Sequence, residues 1–318
     1  MRINKILAFT ALTTVSISTS AFEANRLSGE IMFATGYVST NSNLSVNTDS
    51  KIDALNSKGS HSNDFVVMPL GQIQYDLGKT RNQRIYLGTS RDDLSVGDLA
   101  FELGYQYDLA NGTQIDFAFI PTLLPSEGWA NPYQTGSNRE KEDIESHVFR
   151  TKLTNLMNSG FSVDMAYASM EIDNERIEYS SLHRDADTYY IKGSYLSMFS
   201  AQSGLISAVS YQHHDAEGKA ATYNQYQTQL TYFLNDNAHA LALTGSYHYR
   251  DYSASNPVFN KDRRDNRYKL FLSYEYSDIQ GWDNWSVVSF SGVTVNRSNI
   301  DFYQHEDYLV TVGMNYKF

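Results

Sequence analysis

Residues 306–318 read EDYLVTVGMNYKF. Tyr308, Val310, Val312, Met314, Tyr316 and Phe318 share one parity and form an unbroken apolar face that ends on an aromatic ring. A strand sends successive side chains to opposite faces, so this segment reads as a strand with one wholly apolar wall. The pattern recurs upstream. In RYKLFLSYEY (267–276), Tyr268, Leu270, Leu272, Tyr274 and Tyr276 lie on one side, with Lys269, Ser273 and Glu275 opposite. In LAFELGYQYDL (99–109), Leu99, Phe101, Leu103, Tyr105, Tyr107 and Leu109 oppose Ala100, Glu102, Gly104, Gln106 and Asp108. Helical periodicity is convincing nowhere in 22–318.

Parity alone predicts about fourteen strands, starting near residues 28, 65, 84, 99, 113, 143, 161, 186, 204, 222, 239, 265, 284 and 306. Their connections alternate in length. Short turns such as Ala110-Asn111-Gly112 and Asn235-Asp236-Asn237 follow the even strands and carry the residues that tight hairpins need. Longer polar connections follow the odd strands, at 41–64, 91–98, 123–142, 174–185, 215–221, 252–264 and 298–305. Short turns at one end and long loops at the other is the layout of an outer-membrane barrel. Tyr and Phe gather at strand ends with Leu, Val and Ile between, as in aromatic girdles at two lipid–water boundaries. A soluble β-sandwich explains the alternation but not the loop asymmetry. The fold expected is therefore all-β: a single transmembrane antiparallel up-and-down barrel of about 14 strands over 22–318, with 12 or 16 as the alternatives.

Composition agrees. The 318 residues include 24 Tyr, 16 Phe and no Cys, which excludes a disulfide scaffold, a thiolate metal site and a thiol nucleophile. The polar mean hydropathy, with no long apolar run, excludes a helical membrane protein but not a barrel. Residues 1–21, MRINKILAFTALTTVSISTSA, read as a secretory signal. Arg2 and Lys5 precede an apolar stretch from Ile6 to Ile17, and the small residues Thr19 and Ala21 mark the cleavage. A formal charge of −11 without a Lys/Arg block gives no sign of a nucleic-acid partner. A secreted chain free of Cys fits the periplasm or outer membrane of a Gram-negative cell better than the eukaryotic secretory route.

Several stretches resemble a known family: Ser28-Gly29-Glu30-Ile31, YVSTNSN at 37–43, MPLGQIQYDL at 68–77, IYLGTS at 85–90, ELGYQYDL at 102–109 and Trp129-Ala130-Asn131-Pro132-Tyr133. They are similar to Gram-negative outer-membrane proteins catalogued only as a domain of unknown function. The resemblance implies an outer-membrane barrel and carries over no active site. The last strand, ending in Phe318, also resembles the C-terminal strand by which the barrel-assembly machinery recognises its clients. In size the chain is similar to monomeric fourteen-stranded channels, an analogy of fold alone.

If the Tyr/Leu faces meet lipid, the opposite parity lines the lumen. That assigns Glu102, Gln106, Asp116, Arg150, Lys152, Lys192, Gln227, Gln229, Arg250, Lys269 and Glu275 to the pore wall. Acidic residues come mostly from early strands and basic ones from middle and later strands, a wall split by sign. The alternative is that the charges pair across the lumen and stabilise a plugged barrel. The 123–142 connection is long and aromatic. Folded inward, it would form a constriction with Trp129 and Tyr133 stacking on a ligand; folded outward, it would be a surface loop.

Catalysis finds little support. His213 and His214 are neighbours on a strand and point to opposite faces, and His147 reads as lipid-facing. No H-E-x-x-H, G-x-S-x-G or phosphate-binding glycine loop occurs. The acidic groups Asp92-Asp93 with Asp98, and 140–143, read as a solvated rim or as Ca²⁺ ligands between lipopolysaccharides. No metal and no cofactor is expected. The function expected is a porin-like channel for passive diffusion of small hydrophilic solutes, with outer-membrane lipids and lipopolysaccharide as surroundings. The alternatives are a closed barrel for surface interaction or adhesion and, third, a lipid-modifying enzyme embedded in the wall.

Overall fold

The computed structural model describes residues 26–98, 100–121 and 126–318, so the secretory signal expected at 1–21 lies outside the described residues. Fifteen strands are described. They are β1 (Leu27–Thr40), β2 (Ser62–Leu77), β3 (Gln83–Gly88), β4 (Glu102–Asp108), β5 (Gln114–Pro121), β6 (Ser126–Trp129), β7 (Lys141–Thr154), β8 (Phe161–Ile172), β9 (Ala186–Met198), β10 (Ser203–Ala216), β11 (Tyr223–Asp236), β12 (His239–Asn256), β13 (Lys261–Tyr276), β14 (Trp285–Ser298) and β15 (His305–Lys317). All but β6 form a closed antiparallel ring of 14 strands. Each ring strand pairs with its neighbours in the chain, β5 pairs directly with β7, and β1 closes on β15 from Glu30↔Lys317 to Thr40↔Asp307. The terminal residue completes the seam, because Gly29 and Phe318 exchange two backbone hydrogen bonds of 3.0 Å. β6 sits outside the ring and pairs with β7 beyond the end of β5.

The parity expected from sequence holds around the ring. Outward positions are exposed and apolar: Phe33, Phe65, Val209, Leu230, Leu270 and Val310 stand on the outside of the wall. At the long-loop end, rings on adjacent strands pack in pairs, Tyr37–Phe65, Tyr167–Tyr189, Tyr211–Tyr226 and Tyr247–Tyr268. At the short-turn end, Phe161–Tyr195, Phe199–Tyr232 and Trp285–Tyr316 do the same. An aliphatic belt between two aromatic girdles is the surface that a bilayer solvates, and a closed ring leaves no unpaired backbone edge in it.

Two features depart from a plain cylinder. First, β3, β4 and β5 have only 6, 7 and 8 residues, against 12 to 18 in the other ring strands. At about 3.3 Å per residue, β3 spans roughly 20 Å. Beyond it the chain leaves the wall and turns inward. Second, the long connections do not splay apart but pack together over the mouth. Ile300, Phe302 and Tyr303 are buried against Ile52, Leu55, Tyr133 and Phe259, while Ile177, Leu182 and Ala220 form an adjoining cluster. The Ser/Asn-rich first loop is part of this packing: Asn43 donates to the backbone oxygens of Ser57 and Phe302.

An outward residue at mid-wall tests the lipid-facing assignment. Leu270→Arg is expected to lower the stability of the barrel refolded in vesicles by about 2–4 kcal/mol in urea unfolding, whereas a position turned to water would lose far less.

Candidate functional site

The inward turn after β3 forms the short helix α1 (Arg91–Val96) inside the lumen. The sequence builds it by ordinary rules. Ser90 caps the N-terminus, its Oγ accepting from the Asp93 N–H, and Asp92 and Asp93 occupy the first turn, where negative charge complements the helix dipole. Gly97 ends the helix at φ 74°. A Cβ at Gly97 would lie 2.6 Å from the Phe271 ring, so glycine is required there twice over.

Three sets of contacts hold α1 across the barrel. Leu94 is buried with Met32, Phe271, Val288 and Phe290 on the inner face of β1, β13 and β14. Arg91 bridges two carboxylates, donating to both oxygens of Glu30 and, at 2.8 Å, to Glu275. Lys317 and Ser286 also bind Glu275, at 2.8 and 2.6 Å. On the opposite wall, the Arg150 guanidinium reaches Asp93 at 2.8 and 3.2 Å and Asp164 at 2.6 and 3.0 Å. Lys152 lies 3.4 Å from Asp93, Lys192 3.6 Å from Asp164, and Glu102 3.9 Å from Arg150. Burial alone would raise the Asp93 carboxyl, but Lys152 and Arg150 overcome that and hold it below the ordinary carboxylate range. Glu275 and Glu30 do the same service for Arg91 against the cost of its burial, so it keeps its proton more firmly than usual.

Thus Arg150, Lys152, Lys192 and Glu102 converge on one network around Asp93. Gln106 and Asp116 stay within the wall, Asp116 accepting from Gln106 at 2.6 Å and from the Tyr86 hydroxyl at 2.8 Å. Gln227 donates to Gln229 at 3.2 Å, and Arg250 donates to Gln225 at 2.7 Å. Lys269 fastens the end of the inward turn through the Gly97 carbonyl at 3.0 Å and Asp98 at 3.1 Å. Much of the sign separation expected along the wall is therefore closed by local pairs.

Of the two placements open to 123–142, the described part takes the one at the mouth. Trp129 is 1% exposed, donates to the Ser45 carbonyl and lies under the Arg139 guanidinium at 4.2 Å. Tyr133 hydrogen-bonds Tyr303 at 2.7 Å inside the loop cluster. Both rings are packed by protein at the mouth, and the segment that crosses the lumen is 91–96; residues 122–125 lie outside the described residues. The sequence treats 91–98 as an outer connection because its charges outnumber its apolar residues. The signals that reveal it are the Ser90/Asp93 cap, Gly97, and Leu94 and Val96 set among charges. Nor are Asp92, Asp93 and Asp98 a solvated rim as a group: Asp93 is buried on Arg150, and Asp98 binds Lys269. Among the described residues no three His, Cys, Asp or Glu side chains come together as metal ligands.

The helix does not fill the barrel. A cavity of about 330 Å³ lies on its loop side, lined by Gln212, Gln225, Gln227, His248 and Lys269 among others. A second, of about 340 Å³, lies toward the short turns. A third, of about 310 Å³, runs beside α1 along β7–β11. It shares Asp93, Val96, Lys192 and Gln229 with the first, and Asp92, Ser95, Ile206 and Thr231 with the second.

The chain belongs to the family described as protein of unknown function DUF2860, whose model matches residues 27–317. No curated protein has a matching sequence. Among solved structures, the chain is similar to the outer membrane channel DcaP of Acinetobacter baumannii, at 10% identity and TM-score 0.46, covering 92% of this chain and 96% of that one. It is also similar to an anion-selective porin from Comamonas acidovorans, at 8% identity and TM-score 0.42, covering 92% and 99%. A third is OmpT of Vibrio cholerae, at 8% identity and TM-score 0.39, covering 91% and 98%. Likenesses this distant carry no weight for function.

The docking of α1 has a pH signature. A carboxyl whose pKa is depressed by folding contributes stability above its unfolded value, near 3.9, and loses it as pH falls through the lower folded value. Asp93→Asn is expected to cost about 2 kcal/mol near neutrality, with the difference from wild type shrinking below about pH 4. Urea midpoints of both proteins across pH check it; a gap independent of pH would show that the charge of Asp93 does not hold the helix.

Proposed function

We propose that this barrel is an outer-membrane channel for passive diffusion of small hydrophilic solutes, narrowed at α1 and passing them beside it. One observation carries the reading: the cavity along β7–β11 borders both the loop-side and turn-side cavities and shares lining residues with each. Its wall includes small side chains, Gly160, Ser162, Ser194 and Ala208, opposite the charged face of α1. Size exclusion acts at that gap. The apolar outer belt with its two girdles supports placement in the outer membrane of a Gram-negative cell, among its lipids and lipopolysaccharide. The apolar parity of β15 through Phe318 supports delivery by the barrel-assembly machinery.

A second reading, a closed barrel that presents an ordered outer surface, is favoured by the buried clusters that the loops build over the mouth. Single-channel recording of the refolded protein in a planar bilayer separates the two. Discrete conductance steps are expected. Replacing 91–97 by a Gly/Ser linker is expected to raise the step severalfold, because the constriction goes with it. A correctly folded barrel that is silent would establish the closed reading.

A further inference from the structure

On the loop side of the lumen wall, next to the cavity, two arginines touch no carboxylate among the described residues. Arg250 and Arg267 stand on the inner face of β12 and β13, where His248 is the register partner of Arg267 and Asp265 that of Arg250. Asp265 is already taken by Arg263, at 2.6 and 3.1 Å. Asp98 is held by Lys269, and Asp307 accepts from Thr40 and lies 3.5 Å from His305. Arg250 is left with neutral partners, the Gln225 carbonyl, the Tyr252 hydroxyl and the face of Tyr223 at 4.3 Å. Arg267 has no hydrogen-bond or ion-pair partner among the described residues, and its Nε is buried. The Nδ1 of His248 is buried without a partner as well. Gln225, His248 and Lys269 all line the cavity.

Two guanidiniums placed together with no carboxylate in contact, Asp98 and Asp307 acting on Arg267 only from a distance, are costly, and a buried donor left unpaired adds to the cost. An oxyanion relieves both, since guanidinium matches carboxylate and phosphate with two parallel hydrogen bonds. The two arginines stand beside His248, which with Gln225 and Gln227 lines the adjoining cavity of about 330 Å³, at the lower end of the range for small-molecule sites. From this we propose that Arg250, Arg267 and His248 form a binding site for the carboxylate or phosphate group of a small solute, with Gln225 and Gln227 beside it for the solute's hydroxyl groups. The inference deepens the channel reading and rests on it only for the route by which the solute arrives.

The test uses the full barrel refolded in detergent, with inorganic phosphate as the probe. Calorimetric titration is expected to show saturable binding that falls at least tenfold in R250Q/R267Q. Phosphate is expected to raise the thermal midpoint of the wild type and not that of the variant. Without phosphate, Arg267→Gln is expected to be at least as stable as the wild type, because that guanidinium makes no hydrogen bond or ion pair among the described residues. Absence of saturable binding, equal binding by the variant, or an Arg267→Gln protein less stable than the wild type in the absence of phosphate would each overturn the proposal. Should the double variant fail to fold, Arg267→Gln alone carries the test, since that side chain holds no protein partner. Binding is read in detergent and conduction in a bilayer. A silent barrel that binds phosphate therefore refutes the channel alone, and a conducting barrel that does not bind refutes this site alone.

Discussion

Everything in this molecule follows from the need to pair each backbone N–H and C=O without help from water. In hydrocarbon an open sheet edge is prohibitive, so the sheet must close, here through β1 on β15 with the last residue inside the seam. Closure fixes which parity faces out. The outward parity then answers to lipid, and the inward parity is free to be polar. The charged network, the glutamines and the inward helix all occupy the surface that closure leaves to water.

That inner surface is organised around charge. A six-residue helix has little cohesion of its own, and α1 persists because both ends are fastened. Arg91 ties it to Glu30 and Glu275, Asp93 ties it to Arg150, and Leu94 seats it in an apolar patch on one wall. Arg150 is only 13% exposed and serves two carboxylates at once, which fits a delocalised guanidinium better than an ammonium. The shortness of β3–β5 belongs to the same design. Chain that would have extended the wall is spent on the obstruction.

The fold was legible because strand parity depends on near neighbours only. Period-2 segments placed thirteen of the fourteen ring strands within three residues of their start; β13 begins four residues earlier than its parity suggests, at Lys261. β6 was missed because four residues, Ser126–Trp129, carry too little alternation to be seen. The lumen was legible as a set of residues but not as an arrangement. Parity says that Arg150 and Glu102 face inward; it does not say that Asp93 arrives from a loop to meet them. Polar composition made 91–98 look like an outer loop, and aromatic composition left 123–142 open between a constriction and a surface loop. Tertiary packing decided both, with Trp129 drawn under Arg139 at the mouth. That guanidinium donates only to backbone oxygens of Asn43, Asp49, Ser50 and Pro132, and burial pushes it down to about 10 even with Asp49 opposing.

The account stands or falls on whether the passage beside α1 is the conducting path. Gln229 borders both the loop-side cavity and the gap, and the chain has no native Cys. The most direct measurement is single-channel current through Gln229→Cys before and after a charged thiol reagent, with wild type as the control. The account predicts that the reagent blocks most of the current in the variant and none in the wild type. Current that persists unchanged through a fully modified Gln229→Cys barrel would contradict it.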